Sequence, residues 1–309
     1  MVSLCAILTF NSVSCQAHVK DTGRVNAATS YAQLPCNDNQ IQTSYDTSSD
    51  RYHSYKVENE VCSTASPGCT RDFVFTTMVS QVQFIAPTSE ATPVTDCKIT
   101  ILDIPGPFGE DSIRTSVNQN QYSITNYTRK DHALHPGLVT RTIIERNDKV
   151  IVVTFGEGTG RFPGTNEKLA PKTWTGVDNK LIEAVSCPVA LQSVRAKLKY
   201  LPNLEIASFA KRDISKAYSD YPKERPDGYS IDMRGNQVIN LLNSPQLMTT
   251  LATQIIDNCK TVSLVSFGLA NTDYAVLLGL MPNGNVQQFE CLEPGQASEE
   301  QVWGKKFCF

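Results

Sequence analysis

Hydrophobic and polar positions divide the chain into stretches of different texture. Met1 to Phe10 are mostly apolar, and Asn11-Ser-Val-Ser-Cys-Gln-Ala17 follows with small residues. An apolar run ending in small residues is the pattern of a secretory signal, here without the basic residues that usually precede it. The pattern predicts a signal peptide over 1–17, cleaved after Ala17, with lipid attachment at Cys15 as the alternative. Residues 18–60 are rich in Ser, Thr, Asn, Asp and Gln. So polar a stretch buries too little apolar surface to offset its ordering cost, which predicts a flexible segment pinned at Cys36.

From residue 61 the texture changes. Thr70 stands where an N-cap would open a short helix, with Val74 and Met78 four apart on one face. A strand is predicted over 98–104, then a turn at Pro105-Gly-Pro-Phe-Gly109. Two β-branched runs, 138–145 and 149–155, flank Arg146-Asn147-Asp148 and read as a β-hairpin. Residues 177–185 read as a short helix. Together these make a β-rich central domain over 61–187. The pattern then weakens, and the turn-rich Tyr218 to Gly228 stretch closes a predicted linker region over 188–228. Residues 229–309 parse as a small C-terminal domain. Ser244 and Pro245 suit a helix start, Leu247, Leu251, Ile255 and Met248, Ala252, Ile256 form one apolar face, and Asn258 is placed to close the helix in a left-handed conformation. Strands over 261–267, 274–281 and 285–291 follow, the last two joined by Pro282-Asn-Gly284. The fold class expected is α+β: a β-rich central domain followed by a small helix-plus-antiparallel-meander domain.

Composition narrows the class. With 309 residues, 40% hydrophobic and 19% charged, the chain has material for a real core. A net charge of −3 and the lack of a basic cluster argue against nucleic acid, whose binders neutralise phosphates with Lys and Arg. Beyond the first residues no run approaches the roughly 18 apolar residues of a membrane span. Ten cysteines are present, none in a C-x-x-C pair. Eight lie beyond residue 17: Cys36, Cys62, Cys69, Cys97, Cys187, Cys259, Cys291 and Cys308. An even count with no zinc-type spacing predicts up to four disulfides and an extracytoplasmic location, secreted or periplasmic. Proximity suggests Cys69–Cys97 and Cys291–Cys308.

Candidate chemistry is sparse. His132 and His135 stand three apart before Pro136-Gly137 and are half of all histidines. Neutral imidazoles serve as acid/base groups or metal ligands, with Glu157 or Asp178 as further members; the blander reading is a loop whose histidines bond its own backbone. Gly156-Glu-Gly-Thr-Gly160 departs from the dinucleotide fingerprint, since Arg161-Phe-Pro163 does not look like a helix start, and is read as turn and bulge glycines. Arg141 reads as a cross-strand or solvent-facing cation. No nucleophile elbow or S-x-x-K set is present, and no cofactor motif, so no cofactor is expected.

Two stretches carry resemblances. Asn243-Ser-Pro245, Asn258-Cys259, Val265-Ser-Phe-Gly268, Gly279 to Gly284, Phe289-Glu-Cys291 and Trp303-Gly304 resemble a module of uncharacterised secreted proteins of cyanobacterial type. His132-Ala-Leu-His-Pro-Gly137, Val139-Thr-Arg141, Gly156 to Gly160, Asn166 and Trp174 to Asp178 resemble segments of exported bacterial proteins, some associated with polymorphic toxins. The resemblance implies export and bacterial origin and transfers no catalytic residue. The expectation is an exported, disulfide-bonded protein that binds a partner protein or envelope component. The alternative is a secreted hydrolase or toxin-like effector with a site around His132 and His135.

Overall fold

The structure, a computed structural model, describes residues 35–102, 111–218, 220–292 and 302–308. The predicted signal segment, Cys15 and the Pro105–Gly109 turn lie outside the described residues. The fold is α+β, with two sheets that share one long helix.

The first sheet is built from β1 (His53–Ser63), β2 (Ile99–Leu102), β3 (Asp111–Asn118), β4 (Ser123–Thr128), β5 (Gly137–Arg146) and β6 (Lys149–Gly158). Its order is β1-β6-β5-β4-β3-β2, and every neighbouring pair is antiparallel. The β5–β6 hairpin forms as the β-branched runs predict. Asn147 and Asp148 both take positive φ, 53° and 58°, as a tight two-residue loop matched to strand twist requires. Strand β1 lies largely inside the stretch expected to be flexible. It alternates between two faces: Ser54, Lys56, Glu58 and Glu60 point outward to water, while His53, Val57 and Val61 on the inward face are buried. Before it, Asp38 is buried beneath the Nε atoms of Arg114 at 2.9 Å and Arg129 at 3.2 Å, which hold the preceding segment against β3 and β4. Helix α1 (Arg71–Ser80) follows β1, its first turn capped by Thr70 Oγ1, which accepts from Phe73 N–H at 3.1 Å. Val74, Phe75 and Met78 of α1 are buried in the core of this sheet.

Helix α2 runs over Pro163–Lys199, far beyond the predicted 177–185. It begins at Pro163 after all, because a first-turn proline lacks only an N–H that would have no partner there. Internal Pro171 and Pro188 blur its periodicity, and its partner changes along its length. Leu181, Val185 and Val189 pack into the core of the first sheet, Val194 and Leu198 into that of the second. The stretch 188–228, read as a linker, therefore contains the end of α2 and strand β7 (Glu205–Asp213).

The second sheet comprises β7, β8 (Asp227–Arg234), β9 (Val262–Leu269), β10 (Ala275–Leu280) and β11 (Val286–Gln288), in the order β11-β10-β9-β8-β7. The β9–β11 meander matches the expectation, but it is extended by a β7–β8 hairpin joined through a parallel β8–β9 pair. Helices α3 (Val238–Leu242) and α4 (Pro245–Asn258) make that crossover. Ser244 stands at the N-cap of α4, but its Oγ donates back to Asn240 O, and Asn258 is the last helical residue rather than a left-handed one, with Cys259 beyond it extended. Met248, Leu251, Ala252, Ile255 and Ile256 form its buried face. On the other face of the sheet, Tyr218, Phe289 and Trp303 meet edge to face. Two short strands, β12 (Glu290–Cys291) and β13 (Lys305–Lys306), pair in parallel.

The eight cysteines beyond residue 17 are all bridged: Cys36–Cys97, Cys62–Cys69, Cys187–Cys259 and Cys291–Cys308. Cys69 joins Cys62 rather than Cys97, because the short link from β1 to α1 folds it back on the strand. Cys187–Cys259 fastens the middle of α2 to the end of α4. Four bridges are consistent with an exported protein. Among the described residues no helix is long and apolar enough to cross a membrane.

Candidate functional site

Register places two rows of side chains on the face of the first sheet that meets α2. One row runs Tyr55, Gly156, Val139, Asn126 and Thr115. The next holds His53, Gly158 and Gly137 in register, then Thr128 and Ile113. The glycines are required by close approach. A Cβ on Gly156 would lie 2.2 Å from the Tyr55 ring, and one on Gly158 would lie 2.5 Å from Pro136 O. The Gly156–Gly160 motif thus serves strand packing, and neither Gly156 nor Gly158 sits in a turn.

Between these rows and the first half of α2 lies a cavity of about 330 Å³. Ile113, Leu134 and Val139 form the sheet side, and Leu169, Ala170 and Trp174 the helix side. Its size falls at the lower end of small-molecule sites, which are mostly apolar with a few placed polar groups. Here those groups include His53, Tyr55, Asn126, Thr128, His132 and Glu157.

Their hydrogen bonds define their states. His53 Nδ1–H donates to Arg51 O at 3.1 Å, and its Nε2 accepts from Asn166 Nδ2 at 2.8 Å. Thr128 Oγ1 accepts from Gly137 N–H and donates to Gly137 O, both at 2.8 Å. Asn126 Oδ1 accepts from Thr115 Oγ1 at 2.9 Å, and its Nδ2 donates to Ile85 O at 2.8 Å. Tyr55 OH accepts from Trp174 Nε1–H at 3.0 Å. Burial pushes the Tyr55 phenol up to about 12 although that hydrogen bond opposes the shift. His132 Nδ1 accepts from Leu134 N–H at 3.0 Å and lies 3.5 Å from Asp111 Oδ1. Burial holds the His132 imidazole below its ordinary value, with His135 adding to the effect and Asp111 and Asp131 opposing it.

Of the residues proposed from sequence, the structure brings His132 and Glu157 to the same cavity. Glu157 Oε2 accepts from Tyr52 OH at 3.3 Å. His135 is turned to backbone, with Nδ1 3.0 Å from Thr128 O. Asp178 lies elsewhere, paired with Arg141 in the interior between β5 and α2. Both side chains are 0% exposed and Asp178 is on α2, so Arg141 is neither the solvent-facing nor the cross-strand cation expected of a strand arginine. Burial raises the Asp178 carboxyl, opposed by Arg141 and by Asn59 Nδ2, 2.6 Å away. Among the described residues, the one convergence of three potential metal ligands is Cys36, Asp96 and Cys97, and its two sulfurs form a disulfide.

No protein-family model matches the chain, and no curated protein is significantly similar to it. Among solved structures, a Mesorhizobium loti protein aligns at 11% identity and a TM-score of 0.34, over 43% of this chain and 96% of its own. A Bacillus halodurans protein aligns at 14% and 0.32, over 43% and 96%. Norcoclaurine synthase from Thalictrum flavum aligns at 11% and 0.29, over 42% and 83%.

Sequence reasoning missed His53, Tyr55 and Asn126, and gave Trp174 no place in a site. The first two sit in the stretch assigned to disorder. The signal that was available is the alternation His53, Tyr55, Val57, Asn59, Val61, which marks one face of a strand.

Proposed function

We propose that the chain is an exported binding protein whose ligand is a small, mainly apolar molecule held between the first sheet and the first half of α2. The observation that carries this reading is the cavity itself. The same layer is closed about two turns beyond Trp174 along α2, where Leu181 and Val185 are wholly buried, yet stays open above Val139 and Ala170. Protein interiors are close-packed, so an open, apolar-lined space of this size is a feature of a binding site. The four disulfides, and the likeness of two segments to secreted and exported bacterial proteins, support an extracytoplasmic setting. A small molecule is favoured over a macromolecular or envelope partner because the recognisable polar groups face inward.

The test is titration with N-phenyl-1-naphthylamine, a neutral apolar fluorophore. Saturable binding with enhanced emission is expected of the oxidised protein, and its loss in Ala170→Phe or Val139→Phe, each of which fills the cavity. No saturable binding to the native protein, confirmed folded by circular dichroism, overturns the reading. The hydrolase or effector alternative rests on His132 alone, because His132 Nδ1 accepts from Leu134 N–H and has no proton to share with Asp111, which does not line the cavity.

A further inference from the structure

The polar groups of the cavity divide by whether their protons are already engaged. His53, Asn126 and Thr128 bond protein atoms through both kinds of site, as donors and as acceptors. On the sheet side of the cavity, two side chains donate no hydrogen bond to protein, His132 through Nε2 and Tyr55 through its hydroxyl. His132 Nδ1 accepts from Leu134 N–H, which places the proton of the neutral ring on Nε2. Among the described residues that Nε2–H meets no acceptor. The Tyr55 oxygen accepts from Trp174, and its own O–H meets no acceptor among the described residues. Burial favours the neutral imidazole and the protonated phenol, so both remain donors near neutral pH. The charges complete the picture. No Lys or Arg is among the described residues lining the cavity, whereas Glu157 is.

We propose that the cavity selects a neutral apolar molecule carrying a carbonyl-type oxygen, which accepts hydrogen bonds from His132 Nε2–H and Tyr55 O–H. This rests on the cavity-binding reading above and deepens it. A buried donor without a partner disfavours a pure hydrocarbon, because the ligand strips water from the donor and returns nothing. A carboxylate is disfavoured for the opposite reason: it would lose its hydration beside Glu157 with no cation to meet it. The carbonyl oxygen satisfies both donors and brings no charge.

The experiment is displacement of bound N-phenyl-1-naphthylamine by three compounds of one shape: 2-acetylnaphthalene, 2-ethylnaphthalene and 2-naphthoate. The ketone is expected to displace the fluorophore at about three- to tenfold lower concentration than the hydrocarbon, the value of one neutral hydrogen bond or slightly more. Naphthoate is expected to be the weakest. His132→Asn retains an oxygen near Nδ1 for Leu134 N–H while deleting the Nε2–H, and Tyr55→Phe deletes the O–H. Each is expected to bring the ketone-to-hydrocarbon ratio toward one, and the double variant to abolish the preference. Equal displacement by ketone and hydrocarbon in the native protein overturns the proposal, as does naphthoate binding tightest or an unchanged ratio in the double variant. Failure of the fluorophore itself to bind removes the underlying cavity reading, and so is told apart from failure of the selectivity.

Discussion

Deleting the Asp178 carboxylate should loosen α2 from the first sheet. Arg141 on β5 and Asp178 on α2 are both excluded from solvent, and their ion pair ties the helix to the middle of the sheet. Arg141 also donates to Phe84 O, and Asp178 accepts from Asn59 Nδ2. Arg141 Nε and Thr154 Oγ1 have no partner among the described residues, so the guanidinium has little compensation beyond Asp178. In Asp178→Leu a permanently charged group stays buried without its counter-ion, a loss of about 3–5 kcal/mol. Arg141→Met should cost less, about 2 kcal/mol, because burial already favours protonation of Asp178 and the stranded carboxyl can become neutral. The double variant removes both charges. It leaves Phe84 O without its partner and Asn59 Nδ2 with only Thr175 Oγ1 at 3.5 Å, and Asn59 is only half-buried, so about 1–2 kcal/mol is expected. The cycle therefore predicts a coupling of at least about 3 kcal/mol. The assay is urea unfolding of the oxidised protein at pH 7, followed by fluorescence of Trp174, whose ring centroid lies 5.3 Å from the guanidinium carbon. An Asp178→Leu cost below about 1 kcal/mol, or a double variant costing the sum of the singles, would refute the argument.

Disulfide removal should follow loop length. Cys187–Cys259 closes 72 residues and Cys62–Cys69 closes 7, so chain entropy assigns them about 4 and about 2 kcal/mol. Paired Cys→Ala variants compared by urea unfolding check the ranking, and equal costs would count against it. Gly158→Ala drives a methyl against backbone at Pro136 O and Gly137 Cα and should destabilise by about 1–3 kcal/mol. Gly176→Ala, in open space on α2, should stabilise by about 0.5–1 kcal/mol, and thermal melts giving the reverse order would contradict the packing account. For Asp38, burial opposes its charge, but Gln40 N–H, Arg114 and Arg129 hold its pKa below the unfolded 3.8. Its contribution is then full above about pH 4 and lost as pH falls through the lower folded value. Asp38→Asn should accordingly flatten the fall in stability below pH 4, and an unchanged acid profile would refute the assignment.

The sequence by itself determined the elements whose causes are local. The Thr70 cap, the β-branched runs around Asn147-Asp148 and the apolar face of α4 each lie within one helix or one hairpin, where spacing alone fixes conformation. The even set of eight cysteines likewise pointed to disulfides, and Cys291–Cys308 followed from proximity. The same proximity misassigned Cys69, because the partner of Cys97 lies 61 residues upstream. Only the tertiary structure decided the rest. The length of α2 was hidden because its two halves serve different sheets and two prolines interrupt its pattern. The polarity of β1 reads as disorder until its place in the sheet is known. His132 and Glu157 stand out in sequence as chemistry, but what they face depends on His53, Tyr55 and Trp174, brought together by strand register and by the helix laid over it. Asp178 was drawn into the candidate site by its residue type and removed from it by its pairing with Arg141. A cavity is defined by which side chains fail to fill a space, and that is a property of packing between distant segments, which no local pattern encodes.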